Sequence, residues 1–247
     1  MSRAIAVVHE ARADFLMATG FADRVFLECF PEWLEEDLLP SQRTWLAEIH
    51  VGPLTWKGIK KLAHEAGIRV HGHFDGEPPF PDAAAARRAI LFLLLRIPEL
   101  KAIVLMRDQD DQPERRLGLE QARNADRSGL PIVVGLAVVE RESWLISGFE
   151  PSNELETARL ESERQNLGFD PSLASHELTA CKDDFAKRSP KRVLRELTGG
   201  DKHREGRCWQ EPPSSLLHER GSQNGLKDYL EEVREKLAPL IGHVGAR

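Results

Sequence analysis

Residues 102–111 read Ala-Ile-Val-Leu-Met-Arg-Asp-Gln-Asp-Asp, a short apolar run that ends on a burst of charge. A run of this length, rich in branched side chains and closed by acidic residues, predicts a buried strand that delivers carboxylates at its C-terminal end. The pattern recurs upstream in Arg3 to Val8, followed by Glu10 with Asp14 one helical turn on, and downstream in Ile132 to Val139, followed by Glu140 and Glu142. A further strand is expected over Ile68 to His73.

Helical periodicity fills the intervals. Phe15, Leu16, Ala18, Phe21, Ala22, Val25 and Phe26 recur at helical spacing and predict a helix over Arg12 to about Cys29. Shorter helices are expected over Trp56 to Ala66, from Asp82 through the Ala- and Leu-rich stretch that follows, and over Pro113 to Asp126. Strands separated by helices of this length imply a parallel sheet, because parallel neighbours need crossover connections. The expected fold class is therefore α/β, a parallel sheet flanked by helices. The expected domains are residues 1–148 for the α/β part and 149–247 for a mainly helical C-terminal extension. In that extension Glu154 onward reads as a polar helix and the stretch around Pro212 and Pro213 as a loop. Leu226, Leu230, Val233 and Leu237 share one face of a final amphipathic helix.

Composition narrows the classes. The chain of 247 residues is 41% hydrophobic and 30% charged, values of a globular rather than a disordered protein. Three scattered cysteines, Cys29, Cys181 and Cys208, exclude a zinc knuckle or disulfide framework and suit a reducing cytoplasm. The start of the chain shows no signal-peptide pattern, and the longest apolar run, Ala89 to Leu95, is far short of a membrane span. The net charge of −6 argues against indiscriminate coating of nucleic acid and leaves room for a local basic groove.

Carboxylates at the C-terminal ends of three parallel strands lie where open α/β sheets bind their ligands. Glu10, Asp108, Asp110 and Glu142 in one place would repel one another unless a cation neutralised them, and hard oxygen donors suit Mg²⁺ or Mn²⁺. The Asp-x-Asp spacing puts Asp108 and Asp110 on one side of an extended segment. Asp14, Asp111 and Glu140 are equally well read as helix caps.

The order and context of Val-Val-His-Glu-Ala-Arg-Ala-Asp, Arg-Asp-Gln-Asp-Asp, Glu-Arg-Glu-Ser-Trp-Leu-Ile and Ser-Pro-Lys-Arg-Val-Leu resemble the Toprim domain of topoisomerases, primases and OLD nucleases. The nearest likeness is to small Toprim-like proteins encoded beside ATPases in phage-defence operons. The resemblance implies a divalent-metal-dependent nuclease acting on DNA or RNA. Glu10, Asp108, Asp110 and Glu142 would be its metal-binding and catalytic residues, Asp14 a further ligand, and Lys191 a cation at the scissile phosphate. It also implies an ABC- or OLD-type ATPase partner, with a homo-oligomer left open. Many Toprim proteins carry Gly after the first Glu, where this chain has Ala11, so a catalytically inactive regulatory or binding subunit is the alternative. Tyr229, the one tyrosine, sits on the amphipathic C-terminal helix and reads as a packing residue rather than a nucleophile. Without a zinc module, primase chemistry has no support.

Two other groups compete for attention. His71, His73 and Asp75 follow the strand Ile68 to Val70 and could bind zinc or manganese, but most such histidines pack or face water, and no further His or Asp ligands accompany them. Trp33, Trp45 and Trp56 mark a segment suited either to an interface or to packing within a helical subdomain.

Overall fold

The computed structural model describes residues 2–70, 72–74 and 76–242. In chain order these form β1 (Arg3–Val8), α1 (Arg12–Cys29), α2 (Leu39–Gln42), β2 (Arg43–Leu46), β3 (Glu48–Ile49), β4 (Gly52–Pro53), α3 (Trp56–Glu65), α4 (Ala83–Arg96), β5 (Leu100–Asp108), α5 (Arg115–Asn124) and β6 (Ile132–Ala137). There follow α6 (Arg141–Ser147), α7 (Glu154–Leu167), α8 (Pro190–Thr198), α9 (Lys202–Gln210), α10 (Ser214–Arg220), α11 (Leu226–Glu232), a π-turn at Val233–Leu237, and α12 (Ala238–Gly242). The fold is α/β, a four-stranded parallel sheet flanked by helices with a helical C-terminal region. No helix among the described residues is long and apolar enough to cross a membrane.

The chain forms two compact units. Unit 1 holds the residues up to Arg107, Gln112–Gly135, and the segment from Tyr229 onward; unit 2 holds Asp108–Asp111 and Leu136–Asp228.

Unit 1 is built on the sheet, in the order β2-β1-β5-β6. Ile5 to Val8 are wholly buried, as are Ala102, Ile103 and Leu105, so the two central strands have no solvent face. That is the environment in which near-continuous apolar strands are stable. Helix α1 covers the sheet with Phe15, Phe21, Ala22, Val25 and Phe26. The Tyr229 hydroxyl donates to Ala18 O at 2.8 Å, and its ring lies so close to Gly135 that a Cβ there would approach it to 3.1 Å. Tyr229 is thus a packing residue. Glu232 accepts the N–H of Val134 on the outer strand β6 and pairs with Arg123, which caps a sheet edge that would otherwise offer open donors.

One strand differs from expectation. Ile68 to Val70 carry no ladder: the chain leaves α3 through Gly67 in the left-handed region (φ 71°) and continues as irregular, half-exposed backbone. His71 and Asp75 lie outside the described residues. The fourth strand is instead β2, paired in parallel with β1 at Arg3↔Arg43 through Ala6↔Leu46. Its side chains are fixed by α1: Arg43 forms a bidentate pair with Asp23, the Trp45 indole donates to the same carboxylate, and the Trp45 ring stacks on Phe26.

Unit 2 is organised by a buried polar residue, Asn224. Its carbonyl oxygen accepts from Val138 N and Trp144 Nε1, and its side-chain amide donates to Ser143 O, Ser147 Oγ and Ser175 Oγ. Every one of these groups would cost free energy if buried unpaired. The stretch after Pro212 and Pro213 is not a loop, because Pro213 is the N-cap of helix α10; proline is accommodated where a helix begins, since its missing N–H is not needed there. Leu226, Leu230, Val233 and Leu237 are all buried, as their shared face requires.

Candidate carboxylate site

The strand ends deliver their carboxylates in two groups, one in each unit. In unit 1, Glu10 follows β1, and its Oε1 lies 3.2 Å from Arg107 Nη1. Arg107 also donates to Asp82 at 3.0 Å and lies over the Trp56 ring. These residues line a cavity of 460 Å³ together with Lys57, Lys60 and Arg88. Asp14 is buried and its Oδ2 accepts Ala11 N–H at 2.7 Å, an N-terminal cap for α1.

Unit 2 gathers the remainder. Asp108 ends β5 and its Oδ1 accepts the N–H of Arg141 at 2.8 Å, tying this strand end to the start of α6. Asp110 follows in the left-handed region (φ 53°), which Asp tolerates better than most residues, and its N–H donates to Val139 O. Glu140 is the N-cap of α6, and Glu142 lies in its first turn, where the helix dipole favours a carboxylate. Both are buried; Arg141 donates through its guanidinium to Glu142. Trp144, wholly buried one turn along, is held by Asn224.

Lys191 stands at the start of α8, 3.2 Å from Asp184 and 3.9 Å from Glu140. Glu142, Lys191 and Asp184 line a cavity of 320 Å³ with Phe185, Arg195 and Lys202 among its other walls. Burial pushes the Glu140 carboxyl pKa above the usual range; Lys191 opposes the rise, while Glu142, Asp110 and Asp184 add to it. Burial presses the Lys191 ammonium down, but the hydrogen bond to Asp184 and the charge of Glu140 outweigh it and hold the pKa above its ordinary value.

Asp108, Asp110, Glu142 and Lys191 therefore belong to one unit, and Glu10 and Asp14 to the other. Glu140, which the sequence left open between cap and ligand, takes the N-cap position of α6 without a side-chain cap hydrogen bond. Asp184 escaped the sequence reading, because it stands far along the chain in an irregular segment with no motif to mark it.

Carboxylate oxygens are the donors that a hard divalent cation requires. Yet among the described residues no three His, Cys, Asp or Glu side chains are gathered closely enough to hold a metal ion. Arg107, Arg141 and Lys191 occupy the positions next to the carboxylates instead. The donor chemistry suits Mg²⁺ or Mn²⁺, and a third donor would have to be drawn in for one ion to be held by the described side chains. Compared with protein families, curated proteins and solved structures, the chain matches none.

Proposed function

We propose that the protein is a divalent-metal-dependent nuclease of the Toprim type, hydrolysing phosphodiesters in DNA or RNA with Mg²⁺ or Mn²⁺. It would serve as the effector of a prokaryotic anti-phage system with an ABC- or OLD-type ATPase as partner. The observation that carries this reading is Lys191, set 3.2 Å from Asp184 and 3.9 Å from the buried Glu140, in a cavity that Glu142 and Asp184 also line. So much negative charge in one place is costly unless cations answer it. Lys191 already does so in part, and it offers an ammonium to an incoming phosphate. A divalent ion would have to compete with Arg141 for Glu142.

The test is cleavage of plasmid and single-stranded substrates with and without Mn²⁺. Cleavage that depends on Mn²⁺ and disappears in the Asp108→Ala/Asp110→Ala double variant is expected; full activity in that variant refutes the assignment.

The pairing of Glu10 with Arg107 and of Glu142 with Arg141 favours a second reading, a catalytically inactive Toprim-like subunit that regulates or binds a partner. Calorimetric titration separates the two. Mn²⁺ binding that is lost in Glu142→Gln excludes an inert site, and no detectable uptake of Mn²⁺ favours one.

A further inference from the structure

Helix α3 carries Lys57, Lys60 and Lys61 on neighbouring turns, and α4 adds Arg88; with Arg69 they line a cavity of 750 Å³ in unit 1. No carboxylate lines this cavity among the described residues. Lys57, Lys60, Arg69 and Arg88 have no carboxylate within ion-pair distance among those residues, and Lys61 has only the exposed Glu65 at 3.8 Å. The cavity adjoins the one that ends at Arg107 and Glu10, sharing Lys57, Lys60 and Arg88 with it. A basic groove thus runs along α3 toward the strand end, in a chain whose net charge is −6.

Two features of the groove are unfavourable until an anion fills it. Lysines spaced three and four residues apart on one helix repel each other. Lys57 also stands in the first turn of α3, at the positive end of the helix dipole, where a cation is misplaced and an anion is welcome. We propose that this groove binds the phosphodiester backbone of a nucleic acid without reading its bases.

The wall chemistry selects that occupant. The larger cavity has no Phe, Tyr or Trp among its described lining, and its one ring, the imidazole of His64, is a small platform on which to stack successive bases. Trp56 in the adjoining cavity is buried, with its indole N–H committed to Met106 O at 2.8 Å. An acidic peptide would need large apolar anchor pockets, and beside its cations the larger cavity offers Ile68, Val70 and the imidazole of His64. Five cations to a single imidazole are equipment for phosphate contacts, which position a nucleic acid and depend steeply on salt. The inference rests on the nuclease reading only in naming the polyanion. It is tested without catalysis.

Binding of fluorescently labelled duplex DNA, single-stranded DNA and RNA is measured by anisotropy in EDTA across a salt series. The expected result is sequence-independent binding whose logarithm falls linearly with the logarithm of salt. For duplex DNA, Lys57→Gln/Lys60→Gln reduces the slope by about 1.8 and weakens binding roughly 30-fold at about 0.15 M salt, from a loss of ~0.9 per phosphate contact. Lys101→Gln/Lys182→Gln makes the same charge change outside the groove and leaves both nearly unaltered. Far-UV circular dichroism checks folding, and Lys60→Gln/Arg69→Gln repeats the test at other positions. The inference is overturned by absence of binding at about 50 mM salt, by groove variants that bind as wild type, by an equal loss in the control, or by polyglutamate competing as well as DNA. Binding that persists while the Asp108/Asp110 variant retains full cleavage would refute the carboxylate site and leave the groove standing.

Discussion

Substitution of Glu156 by Gln tests how unit 2 is held together, and its cost follows from the hydrogen bonds the carboxylate makes. Arg204 Nε donates to Oε1 at 2.8 Å, and Ser152 N and Oγ donate to Oε2 at 2.8 and 3.0 Å. Arg204 in turn donates to Glu150 O and lies over the Phe149 ring, and both side chains of the pair are more than nine-tenths buried. Burial by itself would raise the Glu156 pKa, but the hydrogen bonds from Arg204 and Ser152 prevail and hold it at about 2 against an ordinary 4.5. At 1.36 kcal/mol per unit, the ionised carboxylate contributes roughly 3 kcal/mol, close to the cost of breaking a buried ion pair. The folded pKa lies below the unfolded one. The stabilisation is therefore complete above pH 4.5 and is lost as pH falls toward 2. Urea denaturation followed by circular dichroism should find Glu156→Gln about 3 kcal/mol less stable at pH 7, with a melting temperature lower by roughly 6–12 °C. The gap should narrow steadily below pH 4.5. A difference under about 1 kcal/mol at pH 7, or a gap unchanged down to pH 3, would refute the assignment of this stabilisation to the ionised pair.

Other expectations concern both units. Asn224→Ala removes the amide that donates to Ser143, Ser147 and Ser175 and should cost about 3 kcal/mol in chemical denaturation; a loss below ~1 kcal/mol contradicts its central role. Gly118→Ala places a Cβ 1.7 Å from Pro81 O, so α5 must move, and destabilisation by more than about 2 kcal/mol is expected on thermal melting. The Cys208 thiol, wholly buried and pushed up to about 12 by burial, should react with a disulfide reagent at pH 8 only as fast as the protein unfolds, whereas the partly exposed Cys181 reacts at once. Arg141→Gln frees Glu142 from its guanidinium and should tighten Mn²⁺ uptake on the order of tenfold by calorimetry; unchanged uptake would show that Arg141 is not what the metal must displace.

The central elements were legible because their signals are local. Helix α1 and strand β1 occupy the expected residues, since eighteen residues of helical periodicity and the five unbroken apolar residues after Arg3 admit little else. Strand β2 was not legible. Arg-Thr-Trp-Leu is too short to show alternation, and its place is set by pairing with β1 and by Asp23, twenty residues earlier on α1. Ile68 to His73 had the better local pattern and still carries no ladder over Ile68 to Val70, because a strand is stable only where a partner's edge is free. Parallel pairing is a tertiary fact, and strand propensity records only half of it.

The candidate site divides along the same line. That carboxylates follow the strands could be read directly; what neutralises them could have been read as well. Arg107 precedes Asp108, and Arg141 precedes Glu142, so each acidic strand end brings an arginine with it. The structure aims those guanidinium groups at Glu10 and Glu142. Lys57 and Lys60 of α3 have no such counterparts among the described residues, and Lys61 has only the exposed Glu65, although acidic residues outnumber basic ones by six over the whole chain. An excess of carboxylate elsewhere combined with unanswered cations in one groove is not what self-neutralisation produces. Cations left unpaired in one groove attract anions from outside the chain, and the salt series on the groove along α3 measures whether a polyanion answers them.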